Sequence, residues 1–201
     1  MPTKTMAALP PDDPAACVHL VDDEAPVRDA LSFLLTSHGL AVQAHDSGPG
    51  LLAALDDGAH PGCILLDVRM EPLSGLQVHD ELLARGLRTP VIFLTGHGDI
   101  PMAVDALKKG AFDFVEKPFS DEALVERVLR ALAVAQAQQA SRTADDERAA
   151  RLASLTERER EVMRRVAAGL LNKLIADQLG ISMRTVEVHR DRKSTRLNSS
   201  H

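Results

Sequence analysis

Five side chains that could do chemistry follow short apolar segments of the sequence. They are Asp22 and Asp23 after segment 17–21, Asp67 after 63–66, Thr95 after 91–94, and Lys117 soon after 112–115. Three carboxylates held close together repel one another unless a cation neutralises them. Oxygen ligands without histidine or cysteine select a hard ion, and Mg²⁺ fits best because it accepts a few carboxylates together with water and a phosphoryl oxygen.

The hydroxyl of Thr95 and the ammonium of Lys117 complement this acidic group. Catalysis of phosphoryl transfer depends mainly on positioning and charge stabilisation, which a metal, a hydroxyl and an ammonium supply together. Asp67 is then the expected nucleophile, and its product is an acyl phosphate. A single Asp in such a place is usually a turn former or a helix cap. The joint occurrence of all these residues at strand ends is what indicates a shared site.

The elements that must position these side chains are five short strands. Apolar runs at 17–21, 40–44, 63–66, 91–94 and 112–115 alternate with segments of helical periodicity such as 26–37. Short, nearly continuous apolar runs are typical of strands buried on both faces. The alternation predicts an α/β fold with a five-stranded, doubly wound parallel sheet, whose ligand site lies beyond the carboxyl ends of the strands.

The last third of the chain has a purely helical pattern. Thr156 and Glu159 have the spacing of a capping box that opens a helix running to Gly169. A second helix spans 172–179, and Ser182 is the expected N-cap of a third that starts at Met183, which together form a small all-α helix-turn-helix domain. We therefore expect a flexible N-terminus (1–15), an α/β domain (16–135), a helical linker (136–153) and a helix-turn-helix domain (154–190).

Charge and composition restrict the classes of function. Residues 1–135 carry 10 Lys and Arg against 20 Asp and Glu, whereas residues 136–201 carry 13 against 9. This asymmetry indicates an acidic domain joined to a module that meets a polyanion, although the basic end could also be a solvated face. The chain has no run of about 18 apolar residues and no secretion signal, so we expect a cytoplasmic protein with no membrane partner. Cys17 and Cys63 lack partners at metal-ligand spacing.

Residues 17 to about 135 resemble a two-component receiver domain, which has a flavodoxin-like fold. The matching motifs are Val21-Asp22-Asp23-Glu24, Leu65-Leu66-Asp67-Val68-Arg69-Met70, Leu94-Thr95-Gly96-His97-Gly98-Asp99 and Phe114-Val115-Glu116-Lys117-Pro118-Phe119. The resemblance implies phosphorylation of Asp67 by a sensor histidine kinase and phosphate contacts from Thr95 and Lys117. It also implies Mg²⁺ on Asp22, Asp23, Asp67 and the backbone carbonyl of Arg69, and an aromatic switch at Phe114. One departure is Glu71 where receivers commonly have proline.

Residues 154–190 resemble a LuxR-type DNA-binding domain, through motifs such as Leu155-Thr156-Glu157-Arg158-Glu159 and Thr185-Val186-Glu187-Val188-His189-Arg190. In such a domain the helix from Met183 enters the major groove. The candidate DNA contacts are Lys173, Arg184, Thr185, His189 and Arg190. The expected core of this domain is Ile175, Leu179, Ile181, Val186 and Val188. Residues 191–201 resemble translated vector sequence, so we expect a non-native tail and an incomplete DNA-binding domain.

Together the two resemblances indicate a response regulator of the FixJ/NarL class. They imply that phosphorylation at Asp67 drives homodimerisation through a face within residues 99–135, and that the dimer regulates transcription. The partners are then a sensor histidine kinase, DNA and a second copy of the chain, with RNA polymerase as a further contact. The protein is not expected to be an enzyme beyond its own phosphorylation and dephosphorylation.

Two other functions fit parts of this pattern. A Mg²⁺-dependent phosphatase with an aspartyl-phosphate intermediate would need an acid/base carboxylate two residues after Asp67, where this chain has Arg69. A receiver that acts only through protein contacts, with an inert C-terminal segment, remains open. Salt-sensitive DNA binding would argue against this second alternative.

Overall fold

The computed structural model describes residues 17–96 and 100–188, without the side chain of Ile100. The chain divides into two units, residues 1–141 and 142–201. The expected flexible N-terminus (1–15) and non-native tail (191–201) lie outside the described residues, and so do His189 and Arg190.

The first unit is built on a parallel sheet with the strand order β2-β1-β3-β4-β5. The strands are β1 (Cys17–Val21), β2 (Ala41–His45), β3 (Cys63–Asp67), β4 (Val91–Thr95) and β5 (Asp113–Glu116). This confirms the predicted α/β class and the five predicted strands, whose ends differ from the prediction by at most one residue. The order reverses between β1 and β3, which is the switch point where sheets of this kind place their ligands.

Five helices accompany the strands: α1 (Ala25–Ser37), α2 (Gly48–Asp56), α3 (Gly75–Ala84), α4 (Ile100–Lys108) and α5 (Asp121–Ala153). Local sequence fixes where several of them begin. Ser47 accepts a hydrogen bond from Gly50 N–H at the start of α2, and Ser74 and Gln77 form a capping box at the start of α3. Each cap satisfies backbone N–H groups that a helix leaves unpaired.

Alternate residues of the central strands pack on opposite faces of the sheet. One core cluster joins Val18, Leu20 and Leu65 to residues of α1 and α5 such as Leu35 and Val128. The other joins Val21, Ile64, Leu66 and Phe93 to residues of α2, α3 and α4 such as Leu51 and Val78. Since both faces are covered, β3 and β4 carry continuous apolar runs, and their polar residues, Asp67 and Thr95, stand at the strand ends.

The second unit contains α6 (Glu157–Ala167), α7 (Asn172–Leu179) and a further helical segment, residues 183–188, which we call α8. The predicted capping box is present, because Thr156 accepts from Glu159 N–H while the Glu159 carboxylate accepts from Thr156 N–H. Gly180 ends α7 with φ of +61°, a left-handed conformation that favours glycine.

Val162, Ile175, Ala176, Leu179 and Val186 form the buried core of the second unit, with Ile181 packed against it. The sequence predicts Val188 in this core as well, but its side chain is 47% exposed. The helical geometry of α8 explains why Val188 is not part of the core. Val188 lies two positions after Val186 and therefore on another side of the helix.

Among the described residues, no helix combines the length and the apolar character needed to cross a membrane.

Candidate functional site

The carboxyl edge of the sheet collects polar side chains from four adjacent strands. Asp22 directly follows β1, Asp67 ends β3, Thr95 ends β4, and Lys117 directly follows β5. The strands pair in parallel register, with Val21 opposite Leu66, Asp67 opposite Leu94 and Thr95 opposite Glu116. The register therefore brings residues separated by up to 95 positions to one place.

Lys117 joins the two buried carboxylates of this edge. Its Nζ lies 2.7 Å from Asp67 Oδ1 and 3.0 Å from Asp22 Oδ2. The Asp22 side chain is 1% exposed and that of Asp67 is 10% exposed, whereas Lys117 is 23% exposed. A cation shared between two carboxylates in a largely buried site offsets their mutual repulsion and fixes their separation.

The second oxygen of the Asp67 carboxylate is held by the chain itself. The backbone N–H of Arg69 donates to Asp67 Oδ2 at 2.8 Å. The Arg69 side chain is exposed. Both oxygens of Asp67 therefore have partners, and the carboxylate has a defined orientation.

Burial and charge act in opposite directions on this pair. Burial raises the pKa of Asp67 above its ordinary value, and this effect outweighs the lowering by the hydrogen bond and charge of Lys117. Burial lowers the pKa of Lys117, but the hydrogen bonds and charges of Asp67 and Asp22 together outweigh it and raise that pKa overall. The ammonium is therefore fully protonated at neutral pH.

The three predicted carboxylates do not form one cluster. Asp22 is buried while Asp23, the next residue in the turn after β1, is exposed. In the part of the chain that the structure describes, no three His, Cys, Asp or Glu side chains are grouped closely enough to hold a metal ion. The structure thus brings Asp22 and Asp67 together around Lys117 and leaves Asp23 at the surface beside them.

The donor set at this edge nevertheless fits Mg²⁺. Asp22 and Asp67 offer carboxylate oxygens within reach of one ammonium, and Asp23 is exposed next to Asp22. Hard oxygen donors that leave room for water are the ligands that Mg²⁺ prefers. The site therefore suits a hydrated divalent cation, held through a few carboxylates, better than a soft transition metal.

Thr95 and Phe114 lie on the neighbouring strands. Thr95 is 2% exposed. The half-buried Phe114 ring packs against Phe93, with ring centroids 6.2 Å apart. The bonds Lys117–Pro118 and Glu71–Pro72 are both cis. The sequence leaves the Lys117–Pro118 isomer open and does not predict a cis bond at Glu71–Pro72.

One residue of this edge escaped the sequence analysis. The Arg28 guanidinium, in the first turn of α1, donates from Nη1 to the backbone carbonyl of Asp22 at 2.7 Å. The available signal was an arginine six residues after Asp22, at the start of a predicted helix. Only the three-dimensional structure shows that this side chain reaches back to the strand end.

The candidate DNA-contacting residues of the second unit lie on α7 and α8. Lys173 and Arg184 are exposed. Thr185 is partly buried, and its N–H and hydroxyl both bond the Ser182 hydroxyl, which confirms the predicted N-cap at Ser182. The other two candidates, His189 and Arg190, lie outside the described residues.

Comparison with known families gives two matches. Residues 18–129 match the response regulator receiver domain, and residues 153–201 match the bacterial regulatory proteins of the luxR family.

Known proteins are similar over most of the chain. The C4-dicarboxylate transport transcriptional regulatory protein DctR of Rhodobacter capsulatus is 52% identical over 184 residues, which are 90% of this chain and 93% of that protein. The transcriptional regulatory protein FixJ of Rhizobium meliloti is 47% identical over 173 residues, which are 86% of this chain and 84% of that protein.

Two solved structures are similar over nearly the whole length. The low-resolution structure of the response regulator StyR has a TM-score of 0.82 and 37% identity, and it covers 92% of this chain and 93% of its own. Full-length FixJ from B. japonicum has a TM-score of 0.58 and 41% identity, with coverage of 92% and 91%.

Proposed function

Because the chain belongs to the two-component response regulators that join a receiver domain to a LuxR-type DNA-binding domain, we propose that Asp67 is its phosphoacceptor. The observation that carries this proposal is the buried Asp67 carboxylate, paired with Lys117 at 2.7 Å at the carboxyl edge of the sheet. Proteins of this family are transcription regulators rather than conventional enzymes. The functional product of the phosphorylation is therefore the phosphorylated chain itself.

The reaction requires one nucleophile and charge stabilisation. An Asp67 carboxylate oxygen attacks phosphorus, the bond from phosphorus to the donor breaks, and its electron pair leaves with the donor. For a sensor histidine kinase that bond is the phosphorus–nitrogen bond of a phosphohistidine. The Lys117 ammonium and the Thr95 hydroxyl lie at adjacent strand ends, where they stabilise the charge on the phosphoryl oxygens.

Asp22, Asp23 and Asp67, with the backbone carbonyl of Arg69, are the residues that would hold Mg²⁺. When bound, the ion supplies positive charge beside the phosphoryl oxygens and offsets the repulsion between them and the carboxylates. Lys117 remains the one protein cation that touches both buried carboxylates among the described residues.

Phosphorylation is proposed to act through Thr95 and Phe114. The Phe114 ring is half-buried and packs against Phe93, so a movement of this ring changes the surface around α4 and β5. On α4, Val104 and Leu107 are 42% and 45% exposed. Exposed apolar side chains of this kind can pack against a second copy of the chain. We therefore assign the interface of the phosphorylation-dependent homodimer to the surface around α4 and β5.

The second unit is the proposed output module. Lys173, Arg184 and Thr185, with His189 and Arg190 from outside the described residues, are the proposed DNA contacts. Since its target is DNA, the protein is proposed to act in the cytoplasm.

Size-exclusion chromatography with beryllofluoride, a phosphoryl analogue, tests the switch. We expect the Mg²⁺-loaded wild-type chain to shift from monomer to dimer, and Asp67→Asn to stay monomeric. Asp57→Asn, which changes an exposed carboxylate at the C-terminal end of α2, should still shift. A dimer that forms equally with Asp67→Asn would contradict the proposal.

A second pair of variants tests whether the dimer forms through the surface of α4. Val104→Lys with Leu107→Lys should abolish the shift, because both changes place charge on the proposed surface of α4. Phe33→Lys is the matched control, since Phe33 is 78% exposed on α1. Loss of the dimer with Phe33→Lys alone would place the interface elsewhere.

A further inference from the structure

The polar groups of Asp22 are all held, each by a different partner. Its N–H donates to the carbonyl of His45, and its Oδ1 accepts from Glu24 N–H at 2.9 Å. Its Oδ2 accepts from Lys117, and its carbonyl accepts from Arg28 Nη1 at 2.7 Å. Asp22 is 0% exposed, so each lost bond would leave a buried polar atom unpaired.

Arg28 differs from the other partners because it binds the peptide group that links Asp22 to Asp23. A peptide group is planar, so the direction of the Asp22 carbonyl also fixes the direction of the Asp23 N–H. Asp22 follows the last residue of β1, and its carbonyl lies beyond the ladder that would otherwise hold it. The guanidinium therefore supplies the hydrogen bond that holds the direction of this carbonyl.

The position of Arg28 is itself well defined. Its backbone N–H donates to the carbonyl of Glu24 at 3.1 Å, which places the residue in the first turn of α1. The planar guanidinium has a fixed geometry of donors, so a bond from Nη1 fixes direction as well as distance. The hydrogen bond from Arg28 therefore connects the end of β1 to α1.

On the premise that the proposed function is correct and Asp22 and Asp23 hold Mg²⁺, we propose that Arg28 is a positioning residue for the metal site. It holds the Asp22–Asp23 peptide, and thereby the position of Asp23 relative to Asp22, so that both carboxylates can reach one cation. It touches neither the metal nor the phosphoryl group in this role.

Charge and position predict opposite effects for the loss of Arg28. Its positive charge lies close to an acidic site, so removal of that charge alone would strengthen the binding of a divalent cation. Removal of the hydrogen bond lets the Asp22–Asp23 peptide rotate. Mg²⁺ binding then weakens, because the two carboxylates are no longer held in a fixed position relative to each other. The sign of the change in Mg²⁺ affinity therefore separates the two roles.

Titration calorimetry with Mg²⁺ on the full chain provides the measurement. We expect Arg28→Met to weaken binding about three- to tenfold, the scale of one lost hydrogen bond. Arg28→Lys keeps a donor and the charge but lacks the fixed donor geometry, so it should weaken Mg²⁺ binding less than Arg28→Met does. Arg85→Gln is the control, because Arg85 pairs with Glu81 and Asp56 at the C-terminal end of α3.

Each outcome bears on a different claim. Unchanged or tighter binding by Arg28→Met, with wild-type binding intact, would overturn the positioning role. A fall in melting temperature without a fall in the affinity of the folded protein would likewise overturn it, since Arg28 would then only stabilise the fold. If the wild-type chain binds no Mg²⁺, the proposed function fails together with the premise of this inference.

Discussion

Asp67 and Lys117 are separated by 50 positions in the sequence, yet Lys117 Nζ lies 2.7 Å from Asp67 Oδ1. The same ammonium lies 3.0 Å from Asp22 Oδ2. A single cation therefore sets the distance between two buried carboxylates. The proposed chemistry depends on this arrangement, because the nucleophile and the charge that stabilises the incoming phosphoryl group are held in contact before the reaction begins.

Replacement of Lys117 should separate metal binding from phosphorylation. With Lys117→Met the site loses its ammonium and becomes more negative, so Mg²⁺ should bind at least as tightly as to wild type. Phosphorylation by acetyl phosphate should fall about 100-fold or more, because a preorganised charge is lost. Calorimetry and intact-mass kinetics measure the two effects.

The control for this experiment is Lys109→Met. Lys109 forms an exposed ion pair with Asp80 at 2.7 Å, away from the site, and such pairs contribute little to stability. We expect wild-type kinetics from this control. A wild-type phosphorylation rate in Lys117→Met would show that the ammonium has no role in the reaction.

Gly75 is required by a close approach of two backbone segments. A Cβ at this position would lie 2.2 Å from the carbonyl oxygen of Asp67 and 3.1 Å from Leu66 Cγ. Gly75→Ala should therefore destabilise the first unit by about 2 kcal/mol or more, the scale of an overpacked core, and displace β3, which carries Asp67. Urea unfolding monitored by circular dichroism measures the loss.

Gly96→Ala serves as the control for this steric argument, since a Cβ there meets no atom of the described residues within 4 Å. Its unfolding midpoint should stay close to that of wild type. Equal midpoints for Gly75→Ala and wild type would mean that α3 can move away from β3 without cost.

The buried pair His19 and His45 should make stability depend on pH. His19 Nδ1 lies 3.0 Å from His45 Nε2, and the residues are 2% and 9% exposed. Burial, with a smaller effect from His45, lowers the pKa of His19 to about 4 from 6.5. The unfolded chain therefore binds a proton first as the pH falls, and stability decreases between pH 6.5 and about 4.

His19→Phe keeps an aromatic ring without the titrating group. From pH 7 to pH 5 the wild-type chain should lose about 1 to 2 kcal/mol more of its free energy of unfolding than this variant. His60→Gln, which alters an exposed histidine, should keep the wild-type pH dependence. Parallel pH curves for His19→Phe and wild type would show that His19 titrates normally.

The second unit gives a prediction for DNA. Arg184 is exposed on α8, where its guanidinium is proposed to contact a DNA phosphate. Arg184→Ala should therefore weaken DNA binding and reduce the slope of log affinity against log salt concentration by about one. Fluorescence anisotropy over a range of salt concentrations measures both quantities. Arg148→Ala, an exposed arginine of α5 paired with Asp145, is the matched control.

A wild-type chain that binds no DNA at any salt concentration would favour a receiver that acts only through protein contacts. Equal salt dependence for Arg184→Ala and wild type would place the DNA contacts on other residues.

The sequence is sufficient to predict the sheet and the residues at its carboxyl edge. Runs such as Ile64-Leu65-Leu66 are apolar without alternation, which only a strand covered on both faces requires, and polar residues then mark the strand ends. Parallel strands place those ends at one edge, so the order of residues along the chain is enough to group Asp22, Asp67 and Lys117.

Other features depend on the direction in which a side chain or a backbone group points, and composition and residue spacing do not encode that direction. Asp22 and Asp23 are adjacent, but the turn after β1 buries one and exposes the other. The bond from Arg28 to the Asp22 carbonyl requires the angle between β1 and α1. The His19–His45 contact requires the register of β1 against β2, in which His45 lies opposite Val21.

The most direct test of the central claim is to locate the phosphoryl group. The full chain is treated with acetyl phosphate and Mg²⁺, the acyl phosphate is reduced with borohydride to homoserine, and peptides are sequenced by mass spectrometry. We predict homoserine at position 67 alone, and none when Mg²⁺ is chelated. Homoserine at position 22 or 23, or no modification under any condition, would contradict the assignment of Asp67 as the phosphoacceptor.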